Sequence, residues 1–359
     1  MKLLIGIGHP AHVHFFKNCI HNFQKKGHEV RIIARDKEVT VDLLKKYHLE
    51  YELFSGHKRS LMGKMLEIPR NDLIFLRAAK KFNPDLLIGI NNYTSAHVGM
   101  LTRTPSIIFT DTEEAALANI LTFPFATTIC TPSCFLNDLG KKQVRYQGYH
   151  ELAYLHPKYF TPDPGVLDQV GIAQGEKYFL LRFISWAASH DVGLSGMHMD
   201  SVTTLIQSLE NHGRVFISSE RPLDPALENY RLNASPENIH SLMYFADLYM
   251  GEGGTMAAEA AILGTPALHI ESNASGTATG NFSGNFRELR DRYGLLYFFA
   301  DQNEAFSKAL EILGNRNAKQ EWQKKRENLL QDKIDVTAWM TDFIERYPRS
   351  FEEYRGAHV

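Results

Sequence analysis

The chain has 359 residues, about twice the ~100–200 usual for one domain, so two domains are expected. Its 44% hydrophobic and 22% charged composition is that of a packed globular protein and excludes a disordered chain. A formal net charge of −2 excludes a global basic field, so nucleic acid is not an expected partner and any membrane contact would be peripheral, through a local patch.

From the first residue onward, short apolar runs alternate with helix-length amphipathic stretches, the pattern of βα units and a parallel sheet. The opening Met-Lys-Leu-Leu-Ile-Gly-Ile-Gly turns polar too soon for a signal peptide and reads as a first strand. Strands are predicted at Lys2–Ile7, Glu29–Ala34, Tyr51–Phe54, Asp85–Ile90, Ser106–Thr110, Thr127–Cys130 and Val144–Tyr146. Lys80-Lys81-Phe82-Asn83-Pro84-Asp85 shows the punctuation between them: basic residues end a helix, a proline stops it, and a buried strand follows. The alternation pauses between His156 and Gly165, where Pro157, Pro162 and Pro164 cluster, and the domain boundary is expected there, with residues 1–160 before it and 166–332 after it. It resumes with strands at Tyr178–Arg182, Arg214–Ser218, Leu248–Met250, Ala267–Ile270 and Leu295–Phe298. The second half therefore reads as another doubly wound sheet, with a ligand cleft expected between the two, and the tail from Asn315 to about Tyr347 reads as helical. No stretch reaches ~18 uninterrupted apolar residues, so no transmembrane helix is expected. Cys19, Cys130 and Cys134 are odd in number and lack zinc-ribbon spacing, which fits a reducing, cytoplasmic setting without disulfides or a structural metal.

Gly251-Glu252-Gly253-Gly254-Thr255-Met256-Ala257-Ala258-Glu259 follows an apolar strand and opens an alanine-rich helix that ends at Gly264-Thr265-Pro266. Glycines at such a turn let the backbone approach a ligand, while unpaired N–H groups and the helix dipole favour a phosphate. Gly253, Gly254 and Thr255 are thus candidates for holding a diphosphate. Glu259, about one and a half turns into the helix, is a candidate acceptor for ribose hydroxyls. The plain alternative is a tight turn with no ligand. The order of Gly-Gly turn, helix glutamate and Gly-x-Pro resembles the donor motif of GT-B glycosyltransferases and of non-hydrolysing nucleotide-sugar 2-epimerases.

Gly8-His9-Pro10-Ala11-His12-Val13-His14 places three histidines at the carboxyl end of the first strand, the edge where open α/β sheets bind ligands. An imidazole with an ordinary pKa near ~6.5 can exchange a proton at neutral pH, and His12 is the first candidate for a general base. A histidine hydrogen-bonded for structure is the alternative. Metal binding through the His-x-His spacing lacks a matching acidic or thiol ligand, so no metal is expected. The segment His12–Phe15 resembles the Gly-His-Val-x-Pro stretch of inverting GT-B transferases, in which a histidine deprotonates the acceptor and a carboxylate orients it. Asp111, after the strand Ser106–Thr110, is the candidate orienter, although it could equally cap the next helix. Gly8, His14 and Asn91 on the same edge are candidate ligand contacts. In the second half Arg182 could bind phosphate through its planar fork or sit in a buried ion pair, and Ser189 and Asn281 belong to polar loops that could reach the ligand.

Taken together, Pro10-Ala11-His12-Val13-His14-Phe15-Phe16-Lys17, Gly27-His28-Glu29-Val30, the string Tyr146 to Leu155 and the Gly253 turn resemble the mainly archaeal and bacterial domain-of-unknown-function family 354, over roughly residues 1–335. The resemblance implies a GT-B-like fold: two Rossmann-like doubly wound parallel-sheet domains facing across a cleft. Residues 1–160 would serve the acceptor and 166–332 the nucleotide sugar, with a C-terminal helix in 333–359 packing back toward the first domain. The implied activity is metal-independent transfer of a sugar from a nucleotide-diphosphate donor, by resemblance a UDP-sugar, to a hydroxyl acceptor in surface polysaccharide or glycoconjugate synthesis. No tightly bound cofactor is implied. The alternatives are a 2-epimerase-like enzyme and a non-catalytic nucleotide-sugar-binding protein. Against the epimerase, that family carries an arginine just after strand one and an acidic residue after strand four, where this chain has Gly8-His9-Pro10 and Asn91-Asn92.

Overall fold

Buried parallel strands need no polar face, and the mostly apolar strands of the described residues, twelve in number, form two all-parallel sheets. The computed structural model describes residues 1–54, 61–185, 194, 196, 197 and 199–356. Two compact units divide it: Met1–Tyr154 together with Ile334–Val359, and Leu155–Lys333.

In the first unit β1 (Lys2–Ile7), β2 (Glu29–Arg35), β3 (Glu52–Phe54), β4 (Leu86–Ile90), β5 (Ser106–Phe109), β6 (Thr128–Pro132) and β7 (Gln143–Tyr146) lie in the order β3-β2-β1-β4-β5-β6-β7. Every neighbouring pair is parallel. The strand expected at Thr127–Cys130 runs from Thr128 to Pro132, and the proline lies beyond the last β5–β6 pair, Phe109 with Cys130, so β5 asks no N–H of it. Helix Pro10–Lys25 starts with His9 as N-cap and Pro10 in its first turn, where a missing N–H costs nothing, and carries Lys25 in its last turn. Its Val13, Phe16, Ile20 and Phe23 recur at helical spacing and are buried. On the other face Leu4, Ile33, Phe75, Phe82, Leu87 and Val98 form one core cluster. Helix Val336–Glu345 belongs to this unit: Thr337 donates to the Ala153 carbonyl at 2.7 Å, and Trp339 stacks on Tyr146 with ring centroids 4.6 Å apart.

In the second unit β8 (Tyr178–Phe183), β9 (Arg214–Ser219), β10 (Leu248–Gly251), β11 (Ala267–Ile270) and β12 (Leu296–Phe299) lie in the order β12-β11-β10-β8-β9, again all parallel. Each strand order reverses once. The chain winds one way from β1 and the other way from β4, and likewise from β8 and from β10. Such a reversal leaves a crevice outside the carboxyl ends of the two central strands, the usual ligand position in open α/β sheets.

At the first reversal two glycines face each other, Gly6 on β1 and Gly89 on β4. A Cβ on Gly6 would stand 2.1 Å from the Asn92 amide nitrogen, and one on Gly89 would stand 2.5 Å from the Asn92 Cβ. The missing side chains thus seat Asn92, whose Oδ1 accepts from the Ser95 N–H at 2.9 Å and caps helix Tyr93–Thr102.

Candidate functional site

At the carboxyl edge of the first sheet, the turn after β1 gives its three histidines different tasks. His9 caps the helix, its Nδ1 accepting from the Ala11 N–H at 3.2 Å. His14 is 5% exposed, with Tyr47 Oη 3.3 Å from its Nδ1 and the Tyr154 ring stacked on it at 5.3 Å. His12 Nδ1 accepts from the Gly8 N–H at 3.2 Å. A backbone N–H can only donate, so the neutral His12 ring carries its proton on Nε2. Burial, reinforced by His9, His150 and Lys37 and opposed by Asp111, holds its pKa well below the ordinary value. His12 is therefore neutral at neutral pH.

Asp111 lies two residues beyond β5, and its Oδ2 is 3.1 Å from His150 Nδ1, while its Oδ1 accepts from the Thr112 hydroxyl at 3.1 Å. Burial alone would raise its pKa, but His150, the Thr112 hydroxyl and His12 outweigh this and hold the carboxyl below its usual value. His150 is 7% exposed and packs on Phe15 at 4.5 Å between ring centroids. Its Nε2 is buried with no hydrogen-bond partner among the described residues, as is the hydroxyl of Tyr146, whose ring lies parallel to it at 6.4 Å. The structure thus gathers His12, Asp111 and Gly8, and adds His150, which sequence reasoning passed over as part of a family string. Its signal was a titratable residue in the turn directly after a short strand. Asn91, at the end of β4, is held at φ +41° with its Oδ1 buried and unpartnered among the described residues. Left-handed backbone is uncommon outside glycine and is tolerated best by asparagine and aspartate.

In the second unit Gly253, at φ +79°, makes the turn between β10 and helix Gly254–Ile262. A Cβ there would stand 2.9 Å from Ile184 Cγ2. Gly254 and Thr255 are exposed, so the positive end of the helix faces solvent. Arg182 pairs with Gly251 across the strands and brings its side chain to the same edge, where it donates to Ser218 Oγ at 2.8 Å and forms an ion pair with Glu220. Of the two roles expected for Arg182, the structure displays the ion pair. Glu259 is 3% exposed and its carboxylate meets His240 Nε2 at 3.0 Å. Asn281 is exposed in the short helix Thr279–Phe282, and Ser189 lies outside the described residues.

Two further carboxylates at this edge were not singled out from sequence. Glu252 is fully buried, and its carboxylate accepts the N–H groups of Ile184 at 3.0 Å and Met197 at 2.8 Å, which ties together the two ends of the segment after β8. Burial raises its pKa, against those two bonds and Arg221. Glu271 follows β11 and accepts from the Gly253 N–H. Burial pushes its pKa up, but His269, the Thr279 hydroxyl and the Gly253 N–H outweigh it and lower the value. Among the described residues no helix is long and apolar enough to cross a membrane.

Known proteins share this architecture. A UDP-GlcNAc 2-epimerase from Neisseria meningitidis, solved bound to UDP-GlcNAc, superposes with a TM-score of 0.64 at 12% identity, over 96% of this chain and 100% of that one. The spinosyn rhamnosyltransferase SpnG, solved with spinosyn aglycone, superposes with a TM-score of 0.61 at 13% identity, over 96% of this chain and 98% of that one. At these identities the likeness speaks for the fold, which is GT-B-like, with two Rossmann-like parallel sheets of seven and five strands. By sequence, an uncharacterized protein of Methanocaldococcus jannaschii is 25% identical over 281 residues, 75% of this chain and 81% of its own length. The family model described as "Protein of unknown function (DUF354)" matches residues 1–331, and the chain belongs to that family.

Proposed function

We propose that this protein transfers a sugar from a nucleotide-diphosphate donor, in the first instance a UDP-sugar, to a hydroxyl acceptor during synthesis of a surface polysaccharide or glycoconjugate in the cytoplasm. The observation that carries the reading is the Gly253 turn. It lies at the reversal of the second sheet, with an exposed helix N-terminus whose unpaired N–H groups and dipole favour a diphosphate. In this reading Gly253, Gly254 and Thr255 hold the diphosphate, Glu259 takes the ribose side, and Arg182, Ser189 and Asn281 surround the donor. The second unit serves the donor. The first serves the acceptor, with Gly8, His14 and Asn91 as ligand contacts and the group of His12, Asp111 and His150 around the proton that the acceptor gives up. Backbone dipoles aimed at the leaving diphosphate would do the work that a metal does in other transferases. The UDP-GlcNAc bound by the Neisseria neighbour and the aglycone bound by the spinosyn enzyme support these two ligand classes.

The test is a thermal-shift series with UDP, thymidine diphosphate and UDP-GlcNAc on the wild type and on Glu259→Gln, which keeps an acceptor for His240 while removing the charge. A ligand at ~100 times its dissociation constant stabilises the fold by about 2.7 kcal/mol, enough to read easily. A shift with one nucleotide series that Glu259→Gln weakens supports the donor site. No shift with any of them, in folded protein, removes the reading. Sugar turnover without an acceptor would favour the 2-epimerase alternative, and binding without turnover would favour a nucleotide-sugar-binding protein.

A further inference from the structure

We propose that the general base of the first unit is His150, oriented by Asp111, and that His12 is a neutral hydrogen-bond donor beside it. The assignment rests on the transferase reading for its role, while the tautomers follow from the hydrogen bonds and the charge on Asp111. Asp111 is ionised, with its carboxyl held below the usual value, and a carboxylate can only accept. The contact of 3.1 Å to His150 Nδ1 therefore places a proton on Nδ1, and in the neutral ring the lone pair is then on Nε2. That Nε2 is the buried atom without a hydrogen-bond partner among the described residues. His12 has the opposite arrangement, because the Gly8 N–H occupies its Nδ1 lone pair and its Nε2 carries the proton. Two histidines on one sheet edge are thus locked in opposite tautomers by their neighbours, and only one offers a basic nitrogen.

The groups around His150 are consistent with this division. From helix Pro10–Lys25 come His12 and the apolar ring of Phe15. From beyond β5 comes Asp111, from β7 comes Tyr146, and Glu151 follows on its own segment. Asp111 is ionised and bonded to Nδ1, so the imidazolium that would form is stabilised where it forms. In the step proposed, the acceptor hydroxyl gives its proton to His150 Nε2 as its oxygen forms the new bond to the sugar's anomeric carbon. The bond from that carbon to the diphosphate breaks, and its electron pair leaves on the diphosphate oxygen. His12, through its Nε2–H, can donate to an oxygen of the bound sugar or acceptor and cannot take this proton without first giving up the Gly8 bond.

The experiment is two-bond 1H–15N correlation spectroscopy on the full chain labelled with 15N-histidine, with His150→Gln and His12→Gln used to assign the two rings. The expected result is an Nδ1–H tautomer for His150 and an Nε2–H tautomer for His12 at neutral pH. Asp111→Asn, which keeps the shape of the pair, provides a second assignment by moving the His150 signals should His150→Gln fail to fold. The reverse pattern, with His12 protonated on Nδ1 and His150 on Nε2, overturns the proposal. This readout needs no nucleotide, so it stands or falls separately from the donor reading. Where turnover of UDP-GlcNAc is measurable, His150→Gln should lower kcat by ~100-fold or more with the donor KM little changed, the share usual for a general base. A kcat loss of that size in His12→Gln, with His150→Gln near wild type, would likewise reject it.

Discussion

Gly6→Ala tests whether the paired glycines at the first reversal exist to seat Asn92. The new Cβ would stand 2.1 Å from Asn92 Nδ2 and 3.3 Å from Ser95 Oγ, far inside contact distance. An amide end can usually swing aside, but this one is held. Asn92 Oδ1 accepts from both the Ser95 N–H at 2.9 Å and the Thr94 hydroxyl at 2.5 Å, and Asn92 packs so close to the neighbouring Gly89 that a Cβ there would also stand only 2.5 Å from Asn92 Cβ. Moving Asn92 gives up the cap of helix Tyr93–Thr102, about 1 kcal/mol. Leaving it in place overpacks the edge at ~1–3 kcal/mol, so the sum is roughly 2–4 kcal/mol when both are partly incurred. In a unit of this size each kcal/mol moves the midpoint by ~2–4 °C, so calorimetry should show the first unit's transition lowered by roughly 5–15 °C. The double variant Gly6→Ala with Asn92→Ser keeps a capping oxygen on a shorter side chain and should recover most of the loss, a coupling that a double-mutant cycle measures. A single variant within ~0.5 kcal/mol of wild type, the range of an uneventful substitution, would refute the packing argument. So would a double variant no better than the single.

Four other outcomes follow from named contacts. Asp111 is held below its ordinary value in the fold, so its contribution is fully present above the unfolded value near ~3.9 and is lost as pH falls through the folded one. Asp111→Asn should therefore be clearly less stable than wild type in urea at pH 7, with the difference shrinking toward pH 3; a constant gap would contradict the ionised pair. His12 has the opposite consequence, because its depressed value lets the unfolded chain take the proton first, and stability should fall as pH drops below ~6.5; His12→Gln should remove that part of the slope. Half-buried Lys319 Nζ donates to the carbonyls of Tyr244 and Ala246 and to Thr265 Oγ1 at 3.0 Å, closing the end of helix Ile239–Phe245, so Lys319→Met should cost about 2–4 kcal/mol by orphaning these acceptors, read as a lower urea midpoint. Glu271→Gln removes a carboxylate that takes the Gly253 N–H and should tighten UDP at least ~5-fold by calorimetry, since like charges a few ångströms apart cost ~1–4 kcal/mol near a surface; weaker binding would mean that the carboxylate assists the ligand.

The sheets were legible because strands buried on both faces are apolar throughout and bounded by breakers. Leu86–Ile90 after Asn83-Pro84 is an example, and so is β10 before its glycines. The turn after β1 and the Gly253 turn were legible for the same reason, since each is fixed by the strand that precedes it. What escaped were pairings between segments distant in the chain. His150 reaches Asp111 only because residues 149–154 fold back on helix Pro10–Lys25, where the Ala153 carbonyl accepts from Asn18 Nδ2 at 2.9 Å and from Thr337 of the C-terminal helix. Glu259 could be placed on its helix from sequence, but its partner His240 could not, and neither could the register that sets Arg182 beside Ser218 and brings Glu220 within reach.

At both sheet reversals charged groups have partners while some buried neutral polar atoms do not, as with the Tyr249 hydroxyl on β10, and this bears on what each can contribute. In the second unit the charged groups are compensated: Arg182 by Glu220, Glu259 by His240, and Glu252 by two backbone N–H groups and Arg221. On the proposed reading, a donor arriving there would exchange one partner for another, so the net gain per contact would be small and the exposed turn at Gly254 and Thr255 would carry much of the affinity. In the first unit His150 Nε2, Asn91 Oδ1 and the Tyr146 hydroxyl are buried without hydrogen-bond partners among the described residues, and each such group costs about 1–3 kcal/mol. On the proposed reading, a hydroxyl acceptor that reaches one of them, His150 Nε2 first, would recover that cost on binding. Discrimination among acceptors is therefore expected to depend on whether their hydroxyls reach these atoms, because an analogue lacking the hydroxyl leaves the same atoms unpaired.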